Sequence, residues 1–173
     1  MTNLVSNSGV VASDTTGVGT ARQALSAATY GTDKAIFTWG YSTSIFSNKN
    51  LVNSSGVVAS DASSTGSGRY YAGAAEYGTD TAIFAFGFID AVTSLSNLVN
   101  NSGVMAAAVT GVGTARIGMG ATKYGGDKAI FAFGNDWSSD VSVSNLVSNS
   151  GVVASDTSGV GTARNYMAAC SFA

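Results

Sequence analysis

Apolar residues fall along this chain in short bursts, each closed by Gly, Asn, Asp or Ser, and no stretch sustains the i, i+3, i+4, i+7 spacing of an amphipathic helix. The bursts recur. Asn3-Leu4-Val5 returns as Asn50-Leu51-Val52, Asn97-Leu98-Val99 and Asn145-Leu146-Val147, at steps of 47, 47 and 48 residues. The same steps separate Arg22, Arg69, Arg116 and Arg164, and a step of 47 relates Tyr30, Tyr77 and Tyr124 as well as Asp33, Asp80 and Asp127. The extra residue of the last step falls between Gly134 and Asn145. That places segment 135–140 in a loop, because an insertion inside a strand would turn every later side chain to the opposite face.

Each unit is predicted to hold four short strands. Asn-Leu-Val comes first and closes in a polar turn such as 6–9. Val10-Val11-Ala12-Ser13 follows, rich in the β-branched residues that suit a pleated surface, and completes a hairpin. A Gly-rich link, 15–19, leads to a third strand of small residues from Arg22 to Thr29, where low volume implies close approach of a neighbouring sheet. The turn Tyr30-Gly31-Thr32-Asp33 then opens the run Lys34-Ala35-Ile36-Phe37-Thr38-Trp39-Gly40, too short for a helix and expected as the buried strand of the unit. The 22 glycines along the chain argue further against long helices. The expectation is an all-β, β-propeller-like repeat of four-stranded antiparallel blades. It forms a single repeat domain over 1–173, with units 3–49, 50–96 and 97–144, a partial unit 145–173, and about 3.5 blades per chain.

The pattern Arg-x-x-x-x-Ala-Ala-x-Tyr-Gly-x-Asp-x-Ala-Ile-Phe-x-x-Gly, at 22–40, 69–87 and, with one Ala shifted, 116–134, resembles the kelch repeat. It has one Gly where kelch has a pair, and Val11, Val58 and Val153 where kelch carries Trp on the outermost strand. It is more similar to kelch-like arrays in bacteriophage tail-fibre and other virion proteins, whose low-charge units read Tyr-Gly-x-Asp-Lys-Ala-Ile-Phe and then Asn-Leu-Val-Ser-Asn-Ser-Gly-Val-Val-Ala. This resemblance covers the whole chain. It implies a virion structural protein with a part in host recognition, located on the phage particle or an extracellular surface.

Composition narrows the chemistry. Hydrophobic residues make up 45% and charged residues 10% of the chain, against a usual charged share of about 25%. The net charge is −2, with no basic cluster to neutralise phosphates, so nucleic acid is not an expected partner. No apolar window is long enough to span a bilayer and no signal-peptide pattern opens the chain, so neither membrane insertion nor a standard export signal is expected. With no His and a single Cys, neither a Ser-His-Asp set nor a Cys-x-x-Cys site can be assembled, and the expectation is no enzyme, no metal and no cofactor. Glu76, the sole Glu, is expected at the surface. Cys170 is expected as a small buried apolar side chain.

Two roles suit the Arg series. A ring of Arg22, Arg69, Arg116 and Arg164 could grip an anionic glycan, or each could pair with a carboxylate such as Asp14, Asp61 or Asp156, the commoner use of a partly buried Arg. The third unit has Ala107 and Ala108 where those acids fall. Arg116 is therefore expected to lack a partner, and Arg116→Ala to be tolerated better than the same change at Arg22 or Arg69. Asp33, Asp80 and Asp127 suit turn chemistry, and Tyr30, Tyr77 and Tyr124 suit packing between units. The aromatics Tyr41, Phe88 and Trp137 differ from loop to loop, which a repeated framework does not require. They form the expected ligand-contact set, with Trp39, Asp90 and Asp136 beside them, facing a glycan or host receptor. Unpaired strand edges predict a homo-oligomer, a two-chain ring as first guess and a larger ring or filament as alternative.

Overall fold

The computed structural model describes residues 1–171 and is all-β, with ten strands in three small antiparallel sheets and no helix among the described residues. The first sheet runs in the order β1 (Ser26–Tyr30), β2 (Lys34–Thr38), β3 (Asn48–Val52) and β4 (Ala62–Ser63). The second comprises β5 (Gly73–Tyr77), β6 (Thr81–Ala85) and β7 (Ser96–Val99). The third comprises β8 (Gly120–Tyr124), β9 (Lys128–Ala132) and β10 (Ser144–Val147). By themselves the three sheets do not make a closed propeller.

The Lys/Thr-Ala-Ile-Phe run is the central strand of every sheet, as its burial demands. It pairs on one side with the small-residue strand through the Tyr-Gly turn, Tyr30 opposite Lys34 and Ala28 opposite Ile36. On the other side it meets Asn-Leu-Val of the following unit, Ile36 opposite Leu51. The grouping read from the sequence changes here: each sheet straddles a unit boundary, so Asn-Leu-Val belongs to the sheet of the Arg 28 or 29 residues before it. The predicted Val-Val-Ala-Ser strand is reduced to single bridges such as Val52 to Val58 and Val147 to Val153. No regular strand forms among the described residues beyond Arg164. The predicted third strand starts late, because Ala24 and its counterparts take left-handed backbone conformations.

Alternation along the central strands builds two cores rather than one. Ala82 and Phe84 of β6 pack towards Ile36, Trp39 and Tyr30, while Ile83 and Ala85 point the other way, towards Ala129, Phe131 and Met119. The second sheet is thus covered on both faces, and its central strand is apolar on both, like a sheet with packed neighbours on each side. Close approach needs small residues in the innermost strands. A Cβ on Gly73 would lie 2.8 Å from Phe131 Cδ1 and 2.9 Å from Met119 Sδ, so glycine here is required by space. Segment 135–140 is a loop, closed by a bridge from Asn135 to Asp140 where the sister loops close one residue shorter, Tyr41 to Ile45 and Phe88 to Val92. The inserted residue is absorbed without disturbing β10. Among the described residues no helix is long and apolar enough to cross a membrane.

Candidate functional site

The Arg series is architectural. Arg69 and Arg116 are fully buried and the Arg22 side chain is 4% exposed, so these three cannot form a ring that grips a glycan. Each Arg after the first lies over an aromatic ring of the preceding unit. Arg69 sits 4.0 Å from the centroid of Trp39, Arg116 4.1 Å from Phe86 and Arg164 4.3 Å from Phe133. The ring is brought beneath the guanidinium by a left-handed residue, φ 60° at Trp39 and 63° at Phe86 and Phe133, followed by a glycine at φ above 100°. That glycine then donates its N–H to the carbonyl of the stacked Arg: Gly40 to Arg69, Gly87 to Arg116, Gly134 to Arg164. Trp39 is wholly buried in this joint, its Nε1 donating to Ser64 Oγ. It cannot be the ligand contact expected from the sequence. Nothing in the sequence announces the left-handed turn that folds it under Arg69.

The acid partners lie in the opposite sequence direction from the expected one. Arg22 meets Asp61, 3.5 Å away, and Arg116 meets Asp156 at 4.0 Å, while Asp14 is bonded to Asn3. The position facing Arg69 is Ala108. Of the three buried Arg side chains the one without an acid is therefore Arg69 and not Arg116, because the partner comes from the hairpin that follows each Arg. Asp61 is held far below the ordinary carboxylate value of 3.8, chiefly by the Thr20 hydroxyl and then by the Asn50 amide and the Thr20 N–H. A carboxylate depressed in the folded state contributes stability above the unfolded value and loses it as pH falls below that. The thermal midpoint should therefore decline on acidification below 3.8, and Asp61→Asn should flatten that decline in a melting series.

Other expected residues fall into place around this frame. Tyr30 and Tyr77 are buried against the hairpin at the edge of the next sheet, over Gly103 and Gly151 two units on, whereas Tyr124 is 36% exposed. Asp80 and Asp127 accept from Asn101 and Asn149 of the following hairpin, and Asp33 lies beside Lys34 at 4.0 Å. Cys170 is exposed rather than buried, since the chain after Arg164 runs over the innermost strands instead of joining a sheet. Glu76 is not a surface group: its side chain is 17% exposed and accepts from Thr29 Oγ1 at 2.9 Å and Lys123 Nζ at 3.1 Å, a polar ladder across the three innermost strands. The open cleft they line, about 540 Å³, has Glu76 as the single carboxylate of its lining, so the paired acids of glycoside hydrolysis are not assembled there.

The loop aromatics do come together. Tyr41 lies 5.3 Å from Tyr70, Tyr70 lies 5.3 Å from Phe88, and Phe88 lies 4.6 Å from Trp137, ring centroid to centroid. A branch runs from Tyr70 to Tyr71 at 5.1 Å and on to Tyr166 at 5.4 Å. Six rings from successive units thus form one ribbon on the loop side of the sheets. Trp137 and Tyr166 are each 62% exposed, and the other four rings are half-buried. The ribbon is backed by repeated backbone pairing. Tyr70 and Phe88 exchange N–H to carbonyl bonds, as do Gln23 and Tyr41, and a further series joins Ala24, Tyr71, Gly118 and Tyr166, one residue per unit, all at positive φ. Tyr70, Tyr71 and Tyr166 were not legible in the repeat, because their counterparts are of unlike types, Gln23 and Ile117 for Tyr70, Ala24 and Gly118 for the other two.

Acids flank the ribbon. Asp90 is exposed at the tip of its loop. Asp136 organises its own loop, with Oδ1 accepting from Ser138 N, Ser138 Oγ and Ser139 N at 2.8 to 2.9 Å, and the Ser138 hydroxyl first among these holds its carboxyl below the usual range. Asp140 accepts from Asn135 and Asn165. No protein-family model matches the chain, and no curated protein matches it.

Proposed function

We propose that the protein is a non-enzymatic glycan-binding and structural module, its sheets serving as blades of a propeller-like assembly of the kind seen in phage tail fibres, with the aromatic ribbon as its host-surface contact. The observation that carries this reading is the row Tyr41–Tyr70–Phe88–Trp137, ending in a largely exposed indole. Rings with an apolar face and a polar rim suit the C–H faces and hydroxyls of sugars. Asp90, Asp136 and Asp140 stand beside the ribbon against one exposed cation, Arg164, while Arg69 and Arg116 are buried, so a neutral saccharide fits this surface better than a multiply sulfated or sialylated one. The repeat's likeness to virion arrays supports a place on a particle or cell surface.

A glycan array probed with the full chain should show binding to neutral oligosaccharides. Trp137→Ala and Tyr70→Ala should each weaken it by about 10-fold, ~1.4 kcal/mol. An array with no binding above background, or two variants that bind as the parent does, would remove the ribbon from recognition.

A second reading, a self-assembling structural subunit, is favoured by an outer row of valines at one repeat position. Val10, Val57, Val104 and Val152 are all 56–65% exposed. Contiguous exposed apolar surface promotes association of copies. Light scattering at micromolar concentration should then give a mass above the 17.3 kDa of one chain, and Val→Ser changes along the row should reduce it.

A further inference from the structure

Grouped by sheet, each unit runs from its Arg to the hairpin that follows. We propose that the second of these units carries a binding site for a small carboxylate anion, of the formate or acetate class, formed by Arg69, Ser67 and Asn97 at the position where the units on either side supply an aspartate. In the first unit, Asp61 Oδ2 accepts from the Thr20 N–H at 2.9 Å and the Thr20 hydroxyl at 2.7 Å, and Oδ1 accepts from Asn50 Nδ2 at 2.8 Å and lies 3.5 Å from Arg22 Nη1. In the third unit, Asp156 repeats the set with Thr114 N at 2.9 Å, Thr114 Oγ1 at 2.6 Å, Asn145 Nδ2 at 2.9 Å and Arg116 Nη1 at 4.0 Å. One cradle of donors is thus built twice around a carboxylate.

The second unit keeps the donor types and changes the acceptor. Ser67 stands where Thr20 and Thr114 stand, Asn97 where Asn50 and Asn145 stand, and Arg69 where Arg22 and Arg116 stand, but the acid is Ala108. Asn97 Nδ2 keeps its bond to Ala106 O at 3.0 Å, and Arg69 Nη2 keeps those to Asn97 Oδ1 and Phe84 O at 2.7 and 3.1 Å. Arg69 is fully buried, and its Nε and Nη1 have no hydrogen-bond partner among the described residues. Nη1 is the atom that faces the carboxylate in both sister units. The space is confirmed from the other side: a Cβ on Gly19 or Gly113 would run into the Oδ1 of Asp61 or Asp156, whereas on Gly66 it would meet Asn97 Nδ2 at 2.7 Å and then nothing closer than 3.7 Å. A buried guanidinium whose Nη1 has no acceptor favours an anion at that atom, where the sister units place a carboxylate oxygen. Nε lies outside the cradle, being unpaired in Arg22 as well and bonded to Phe133 O in Arg116. Entry needs no opening of the fold, since Gly66 and Ser67 are exposed and the sister carboxylates are 21% and 27% exposed.

Trp39 is the natural reporter, because Arg69 stacks on its ring at 4.0 Å, and Trp137→Phe leaves it as the sole tryptophan. The full chain carrying Trp137→Phe is titrated with sodium formate against sodium chloride at matched ionic strength, following Trp39 fluorescence and the thermal midpoint. Formate should give a saturable fluorescence change and a higher midpoint. Ala108→Asp, which tethers the carboxylate, should raise the midpoint without formate and abolish the saturable response. In a second arm, Asp61→Ala recreates the same site in the first unit, and formate should restore part of the midpoint it loses. Equal responses to formate and chloride, a response that persists in Ala108→Asp, or no rescue of Asp61→Ala would each overturn the assignment. If Ala108→Asp fails to fold, the parent titration and the rescue arm decide it.

Discussion

Arg116→Ala is expected to destabilise the fold by about 3–5 kcal/mol, and Arg69→Ala by clearly less, although both side chains are equally buried. The Arg116 guanidinium donates to Phe133 O at 2.8 Å, Thr114 O at 2.9 Å, Phe131 O at 3.3 Å and Asn145 Oδ1 at 2.7 Å, and stands beside Asp156. Removing it leaves carbonyls without donors and an acid without its cation. Arg69 donates to Phe84 O and Asn97 Oδ1, leaves Nε and Nη1 unpaired, and has no acid beside it. Its removal relieves an uncompensated buried charge, which offsets part of the packing lost over Trp39. Denaturant midpoints at neutral pH and low carboxylate concentration measure the difference. A loss at Arg69 equal to that at Arg116 would show that stacking on the aromatic ring, common to both, sets the cost.

Phe131→Ala should cost a similar amount, about 3–5 kcal/mol, because the ring is fully buried between the second and third sheets and meets Phe86 edge to face at 5.5 Å. Its neighbour across the interface tests the same space from the opposite side. Gly73→Ala places a methyl where Phe131 and Met119 already stand and should cost about 1–3 kcal/mol through overpacking. Combining Gly73→Ala with Phe131→Ala moves volume from one sheet to the other, so the double variant should be more stable than the sum of the two losses predicts. Strict additivity in a double-mutant cycle would mean that the sheets shift as bodies and do not compete for that volume.

The central strands, the Tyr-Gly turns and the loop at 135–140 were legible in the chain because each rests on local information: a bracketed apolar run, a turn tetrapeptide, a break in period. The partner of each Arg was not. In a repeat, an Asp eight residues before Arg22 and another 39 residues after it occupy the same position in the period, and only the pairing of β2 with β3 of the following unit chooses Asp61 over Asp14. Tyr70 was missed for the converse reason: a contact made once, by a residue whose counterparts are Gln and Ile, leaves no periodic trace. The Ser64 exception is readable only after the fact. Glycine occupies this position at 17, 111 and 159, and the unit that follows Trp39, which stands in place of Phe, has a serine whose hydroxyl receives the indole N–H.

The joint in which an Arg lies on the preceding aromatic and binds the glycine after it is the same at 40–69, 87–116 and 134–164, while the loops that leave from it differ in length and side chains. Such a coupling works like a standard fitting: what is mounted on it can be exchanged without refitting the neighbours. Loops could be shuffled among units, or whole units duplicated, with the mechanical cost confined to one interface at a time.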